Sequence, residues 1–371
     1  MSTRAQLVWL RQVSKMYDYS RYIQRLLDSA LNVDESSASH AYTVLFNDQA
    51  GYFDIVFNLP LTFAVDVALH KKIQSILAGG LYPDIMLYID NAPRFVSTGS
   101  NAIETRRALR YYFKFGQYKR LRVKSLDYAH MEGSIIPLMQ GSYGFDLYGA
   151  SGMAGFSGAS GNGKTILMEY CLACVANSIP ESTIVIVDPK LDFSLANFAY
   201  KKGLRYLTPN GNNTDFFLSV KDELSKAIDE IHRRQATIME RGKVDFPPYI
   251  LAIDEAMAIM ASITDNKRVK EYQALLTQIT LMGRSARVFL FISAQTFDAT
   301  SVMNSSARDQ LAFSVVLSAH PSANDCRFLF KDFDPSNSVI NFDDFKKGVG
   351  LASTQPDNRV IPFLAPFIEE V

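Results

Sequence analysis

The sequence predicts an α/β protein: a mainly parallel sheet with covering helices over residues 136–371, preceded by a small α+β module over residues 1–135. Three observations carry this. After Ile136 short apolar runs (Gly152–Phe156, Thr183–Val187, Tyr249–Ile253, Val288–Ile292, Ala312–Ser318) alternate with longer helical patterns. The runs are rich in Val and Ile with no polar alternation, which suits strands buried on both faces. Before Ile136 the order is different, with two strand-like runs in succession and then a helix.

The N-terminal elements follow from local pattern. Leu7, Leu10, Tyr17, Ile23, Leu26 and Leu27 recur at helical spacing, so a helix is expected from about Ala5 to Ala30. Asn32–Ser39 is polar and reads as a loop. Ala41–Phe46 and Tyr52–Phe57 read as strands joined by a turn over Asn47–Gly51. Thr62 is placed to cap a helix that runs to about Ala78 and ends at Gly79-Gly80, and Asp84–Ile89 is a further strand. There is no internal repeat.

Composition narrows the class. With 371 residues, 48% hydrophobic and 20% charged, the chain has ample material for a core. Its 38 basic and 38 acidic side chains cancel, which excludes a histone-like protein but leaves room for nucleic acid in a local groove or pore. Three cysteines (Cys171, Cys174, Cys326) are too few for a disulfide framework and point to a reducing compartment. No stretch approaches the roughly 20 apolar residues that span a bilayer. The expectation is a cytoplasmic protein with no direct membrane span, reaching a membrane only through a partner.

The chemistry is concentrated in the α/β part. Gly158-Ala159-Ser160-Gly161-Asn162-Gly163-Lys164-Thr165 fits G-x-x-x-x-G-K-[ST], between a strand-like run and a helix. Glycines let successive N–H groups curl around phosphate oxygens, Lys164 reaches the β- and γ-phosphates, and the Thr165 hydroxyl suits Mg²⁺. ATP and Mg²⁺ are the implied ligands. About ninety residues downstream the apolar strand Tyr249–Ile253 ends in Asp254-Glu255, the pattern of a Walker B site. Asp254 would hold Mg²⁺ and Glu255 would polarise the attacking water; Glu255 favours a hydrolase over a switch or a small-molecule kinase. Gln295 follows the strand Val288–Ile292, where an amide could sense the γ-phosphate.

With these residues in place, the sequence resembles the FtsK/SpoIIIE branch of the FtsK–HerA superfamily of hexameric DNA-pumping ATPases, closest in type to the TcpA-like conjugative coupling ATPases. Four further features carry the resemblance over about residues 135–371. Ile184-Val-Ile-Val-Asp188-Pro189-Lys190 looks like the family's strand ending in Asp-Pro-Lys. Asp254-Glu255 runs into the apolar Ala-Met-Ala-Ile-Met. Gly283-Arg284-Ser-Ala precedes the sensor strand, and Leu311–Val316 followed by Asp325-Cys-Arg327 is similar to the family's closing strand. The residues after Gln295 depart from the pattern, with Thr-Phe in place of Arg-Pro.

The resemblance implies a RecA-like motor fold and a homohexameric ring that moves DNA, single- or double-stranded. In such a ring an arginine from the neighbour stabilises charge on the γ-phosphate; Arg284, Arg308 and Arg327 lie at the matching motifs, with Arg284 and Arg327 favoured. The segment after the Walker B helix would enter the pore, so Lys267, Arg268 and Lys270 are expected to track DNA phosphates. Relaxase or membrane secretion subunits are further partners. The expected role is DNA transfer of a mobile element, as in conjugation. DNA segregation, viral genome packaging and an ATP-gated scaffold that does not translocate DNA are the alternatives.

Other features have plainer readings. Arg106–Lys124 holds eight basic and no acidic residues, interleaved with Tyr111, Tyr112, Phe113, Phe115 and Tyr118. It could bind unpaired bases, but aromatics packed inward with cations facing water is the preferred reading. Cys171 and Cys174 lie in the helix behind the phosphate loop and read as core, since no second Cys or His pair has zinc spacing. The five histidines are scattered, and Gly149-Ala-Ser151-Gly is not a nucleophile elbow.

Overall fold

The computed structural model describes residues 17–31, 42–58, 67–88, 92–141, 143–149, 151–211, 213–263, 265–331, 347–355 and 359–370, together with 90, 333 and 335. The described residues divide into two compact units. One holds those up to Tyr118 with 333, 335 and Arg359–Ile361. The other holds those of Lys119–Lys331 with 347–355 and Pro362 onward. The second unit begins earlier than residue 136, because strand β6 (Arg122–Val123) pairs in parallel with β17 (Phe367–Ile368) at the far end of the chain.

In the first unit, helix α1 (Tyr19–Leu31) and helix α2 (Val67–Leu81) accompany a five-stranded antiparallel sheet. Its strands are β1 (Tyr42–Asn47), β2 (Tyr52–Phe57), β3 (Ile85–Leu87), β4 (Phe95–Ser97) and β5 (Arg107–Phe115). The β1–β2 turn closes with the Gly51 N–H on the Asn47 carbonyl at 3.1 Å, as the sequence predicted. The core joins Ile23 and Leu27 of α1, Ile73 and Leu77 of α2, and Phe53, Ile55, Leu109, Tyr111 and Phe113 of the sheet. Residues 1–16, Asn32–Ser39 and Thr62 lie outside the described residues.

One expectation fails here and another holds in part, each for an identifiable reason. Gly79-Gly80 does not end the helix, which runs through both to Leu81 and stops two residues before Pro83, a residue that cannot continue a helix. Gly80 lies instead where α1 packs: a Cβ there would sit 2.5 Å from Leu26 Cδ1, and the leucine side chain would have to shift. Of the basic–aromatic segment, Arg107–Phe115 forms one nine-residue strand at the centre of the sheet, while Arg122–Val123 forms β6 of the second unit. Tyr111 and Phe113 do face the core, but Arg110 is not simply solvated. It makes a bidentate pair with Asp54 (2.8 Å to each oxygen) and lies 3.6 Å from the ring centroid of Tyr52.

The second unit is built on an eight-stranded sheet in the order β11-β10-β12-β13-β9-β14-β15-β16. These strands are β9 (Met153–Gly158), β10 (Thr183–Val187), β11 (Arg205–Leu207), β12 (Tyr249–Ile253), β13 (Val288–Ala294), β14 (Leu311–Leu317), β15 (Val349–Thr354) and β16 (Ile361–Leu364). From β11 to β14 every pairing is parallel, and β15 joins β14 antiparallel. The crossovers carry helices α3 (Lys164–Ser178), α4 (Phe193–Lys202), α5 (Asn213–Arg241), α6 (Ala256–Ser262) and α7 (Asn266–Ala286), then the short α8 (Ser305–Arg308) and, after β14, α9 (Ala323–Cys326). A hairpin of β7 (Ile135–Met139) and β8 (Tyr143–Asp146) precedes β9. Every residue of β9, β13 and β14 is buried, which is why these runs lack polar alternation. The parallel strands therefore end on one edge, and β9, flanked by β13 and β14, delivers the phosphate loop to the middle of that edge.

Candidate active site

The loop leaving β9 is shaped by its own hydrogen bonds. Gly163, the residue before α3, has φ 97°, a left-handed turn that favours glycine and aims the first N–H groups of α3 outward. The Asn162 side chain donates to the Leu317 carbonyl at the end of β14 (2.7 Å), and the Gly348 N–H donates to the Asn162 carbonyl (3.2 Å). These ties hold the loop open between two strand ends. Lys164, 4% exposed, donates to the Gly158 and Ala159 carbonyls at 2.9 and 3.3 Å and pairs with Glu255 Oε1 at 3.2 Å.

Asp254 and Glu255 stand where β12 ends, next to β13. Thr165 Oγ1 donates to Asp254 Oδ2 at 3.0 Å, and Ser293 donates its hydroxyl to Asp254 Oδ1. The same serine oxygen accepts the Glu255 N–H at 3.0 Å. Burial pushes the Asp254 carboxyl above its usual range, against the pull of Ser293 and Thr165. Glu255 has φ 46°, a left-handed conformation costly for a residue with a side chain, and opens α6. Its second oxygen, Oε2, lies 3.3 Å from Lys190 Nζ.

These groups share one cavity of about 650 Å³, walled by Gly161, Gly163, Lys164, Thr165, Asp254 and Glu255 on one side and by Arg120, Lys347, Gly348 and Ala365–Ile368 on another. Arg120 donates to the Lys347 and Gly348 carbonyls at 2.7 and 3.0 Å, clasping that second wall. A threonine hydroxyl beside a carboxylate, both at the cavity wall, is the hard-oxygen donor set that suits Mg²⁺ completed by phosphate oxygens and water. No cluster of three or more His, Cys, Asp or Glu exists among the described residues, so nothing there competes as a metal centre.

The other predicted residues are placed less closely. Gln295 follows β13 directly, and its carbonyl accepts the Ser157 hydroxyl at 3.1 Å; its side chain is exposed and does not line the cavity. Lys267, Arg268 and Lys270 lie in the first turns of α7, capped by Asp265, and Lys267 and Lys270 are exposed. Arg327 lies in the connection that leaves β14, exposed, with its guanidinium 4.3 Å from the Phe328 ring centroid; Arg308, just before β14, approaches the same ring at 5.2 Å. Arg284 is exposed in the last turn of α7, immediately before β13 starts, and so lies at the edge of the sheet opposite the phosphate loop. Arg308 is tied to the Phe297 carbonyl at 2.6 Å. Cys171 and Cys174 are buried, and burial pushes both thiols up, Cys174 to about 12, as befits core residues.

Three residues of the site escaped the sequence reading. Ser293 stood in view beside Gln295, and Lys190 closed the Asp-Pro-Lys run, yet nothing in local spacing shows that they converge on the two acids. Arg120 was one cation among eight.

The fold and the Walker pair define the class: a P-loop ATPase with a RecA-like α/β fold. The comparisons place the resemblance within it. No family model matches the chain. The FtsK domain-containing protein YdcQ of Bacillus subtilis (strain 168) is 27% identical over 251 residues, which is 66% of this chain and 48% of that protein, so the chain spans about half the length of this curated relative. The pCW3 conjugation coupling protein TcpA, solved as a monomer with ATPγS, superposes with a TM-score of 0.55 and 14% identity, covering 95% of each chain. The chain is thus similar in sequence to an FtsK domain-containing protein and in fold to a conjugation coupling protein. No helix among the described residues is long and apolar enough to cross a membrane.

Proposed function

We propose that this chain hydrolyses ATP and uses the energy to move DNA, as one subunit of a homohexameric coupling ATPase in conjugative transfer. The observation that carries the ATPase reading is the convergence of Lys164, Thr165, Asp254 and Glu255, four side chains from two strand ends, on one cavity. The conjugative setting is supported by the 95% mutual coverage with TcpA, which extends over both units of the chain.

The chain's own groups divide the work. The loop N–H groups and the start of α3 bind the β- and γ-phosphates, and Lys164 leaves Glu255 to join them. Thr165 and Asp254 hold Mg²⁺, which supplies charge neutralisation to the phosphates when bound. Glu255 accepts a proton from the attacking water as its oxygen bonds to the γ-phosphorus and the bond to the bridging oxygen of ADP breaks. Gln295, whose side chain lies outside the cavity here, would turn toward the γ-phosphate to sense it, an arginine (Arg327 or Arg284) of the neighbouring subunit steadies the developing charge, and Lys267, Arg268 and Lys270 track DNA phosphates. Relaxase or membrane secretion subunits are the partners this role calls for, in the cytoplasm.

The test is steady-state ATPase rate without nucleic acid, with single-stranded DNA and with double-stranded DNA, against Glu255→Gln as the blank. Stimulation by one form supports a translocase and names its substrate. A slow rate indifferent to both forms points to an ATP-gated scaffold.

A further inference from the structure

Glu255 is gripped on both oxygens by different lysines. Lys164 Nζ is 3.2 Å from Oε1 and Lys190 Nζ is 3.3 Å from Oε2, while the carboxylate side chain is only 9% exposed. The two lysines differ in origin. Lys164 belongs to the phosphate loop and has phosphate to bind; Lys190 comes from the turn after β10 and has no part in the mechanism above.

That turn is built to hold Lys190 still. Asp188, fully buried, accepts the backbone N–H groups of Lys190 (2.8 Å), Leu191 (3.0 Å) and Asp192 (2.6 Å), and the Tyr206 hydroxyl (2.7 Å). Three successive N–H groups on one carboxylate wind the chain so tightly that Leu191 takes φ 58°, a left-handed strain for a residue with a Cβ. Asp192 then caps α4 through the Ser194 and Leu195 N–H groups at 2.9 and 3.1 Å. The lysine is thereby fixed at its backbone from both sides, while its side chain remains half-exposed and reaches the cavity wall.

Once Lys164 turns to the phosphates, Glu255 would be a nearly buried carboxylate facing several phosphate charges, and like charges in a poorly solvated site repel strongly. We propose that Lys190 is the positioning residue for Glu255, keeping its carboxylate in place beside the phosphates after Lys164 has left it. This rests on the ATPase reading above. Lys190 touches no reacting atom in this role, so it acts on turnover through Glu255 and not on nucleotide affinity.

The experiment compares wild type, Lys190→Met, Lys190→Arg, Glu255→Gln and the Lys190→Met/Glu255→Gln double variant, measuring kcat, KM and the Kd for Mg²⁺–ATPγS. Lys190→Met should lower kcat by about tenfold or more and leave Kd within about threefold of wild type, the split expected when only positioning is lost. Lys190→Arg should recover most of the rate. In the Glu255→Gln background the Lys190→Met change should add less than about twofold, because both act through one group. The assignment is overturned if Lys190→Met turns over normally, if its Kd rises tenfold with kcat kept (a phosphate ligand), or if the loss is as large without Glu255. A wild type no faster than Glu255→Gln overturns the ATPase reading and this assignment with it; a wild-type rate well above that blank, matched by Lys190→Met, overturns the assignment alone.

Discussion

Ser293 donates its hydroxyl to Asp254 and, through the same oxygen, accepts the backbone N–H of Glu255 at 3.0 Å. One neutral side chain on β13 thus fixes both acids at the end of β12. Removing it as Ser293→Ala leaves a buried carboxylate oxygen and a buried N–H without that partner, at a cost on the order of 1–3 kcal/mol. Urea unfolding should show that loss in the midpoint with the slope unchanged, and turnover should fall with it. A variant as stable as wild type would mean that neither acid depends on Ser293.

Lys164 and Glu255 are ion-paired, yet their removal should have different consequences. Lys164→Ala takes away the cation that reaches the phosphates, so nucleotide binding should be lost. Glu255→Gln keeps the shape and frees Lys164 for phosphate, so binding should persist while turnover falls by about 10²–10⁴-fold, the usual worth of a general base. Fluorescent-nucleotide binding beside phosphate release separates the two. Near-normal turnover in Glu255→Gln would remove it from the role of base.

The residues legible in the sequence are those whose function is local. The phosphate loop is eight consecutive residues with glycine geometry and a strand before it, and Asp254-Glu255 ends an apolar run; neither needs the fold to be recognised. Ser293 matters only because β13 lies beside β12, and Lys190 only because β10 lies on the other side. Strand order is a tertiary fact, and no periodicity encodes it. The same holds for Arg110, whose partner Asp54 is 56 residues away on β2. Gly80 misled because a glycine that ends a helix and one that packs against a neighbouring helix look alike in sequence.

Gly283 sets two effects against each other. Within α7 an alanine is favoured over glycine by about 1 kcal/mol in helix propensity. At this position, though, a Cβ would lie 2.1 Å from the Val288 carbonyl oxygen and 3.1 Å from Met153 Cε. The carbonyl is main chain at the start of β13 and cannot step aside without moving the sheet, so overpacking of about 1–3 kcal/mol or more wins. Gly283→Ala should therefore lower the melting temperature; a rise would show that the helix shifts freely there.

Glu169 gives the chain a pH dependence. It lies in α3, almost wholly buried, with the Ser194 hydroxyl on Oε2 at 2.8 Å. Burial pushes its carboxyl up to about 7, the Ser194 hydrogen bond pulls it down, Asp192 raises it and Lys201 lowers it. Between the unfolded value of 4.5 and about 7 the folded chain binds the extra proton, so stability is greatest below that window and is lost as pH rises through it. The loss is on the order of 3 kcal/mol when the group is fully ionised. Glu169→Gln should flatten this part of the stability–pH curve and leave the variant more stable than wild type at pH 8. Parallel curves would show that Glu169 does not titrate in this window.

The two arginines favoured as the neighbour's contribution differ in how the strands place them. Arg327 lies in the connection that leaves β14 after Leu317. Arg284 precedes β13, so it lies at the edge where the parallel strands start. A residue that acts on a neighbour's γ-phosphate must reach the edge at which nucleotides bind, and the start of β13 holds Arg284 away from it. The exposed Arg327 guanidinium is stacked on Phe328, ready to be offered outward without breaking an ion pair seen among the described residues. Arg327→Ala should abolish turnover while keeping nucleotide binding, whereas Arg284→Ala should keep most of the rate. Mixing then tests whether the residue acts across subunits: Arg327→Ala and Lys164→Ala are each inactive, but rings assembled from both contain interfaces with an intact loop on one side and an intact arginine on the other. Recovered turnover in the mixture supports the trans role; none, with assembly confirmed, would place Arg327 outside the active site.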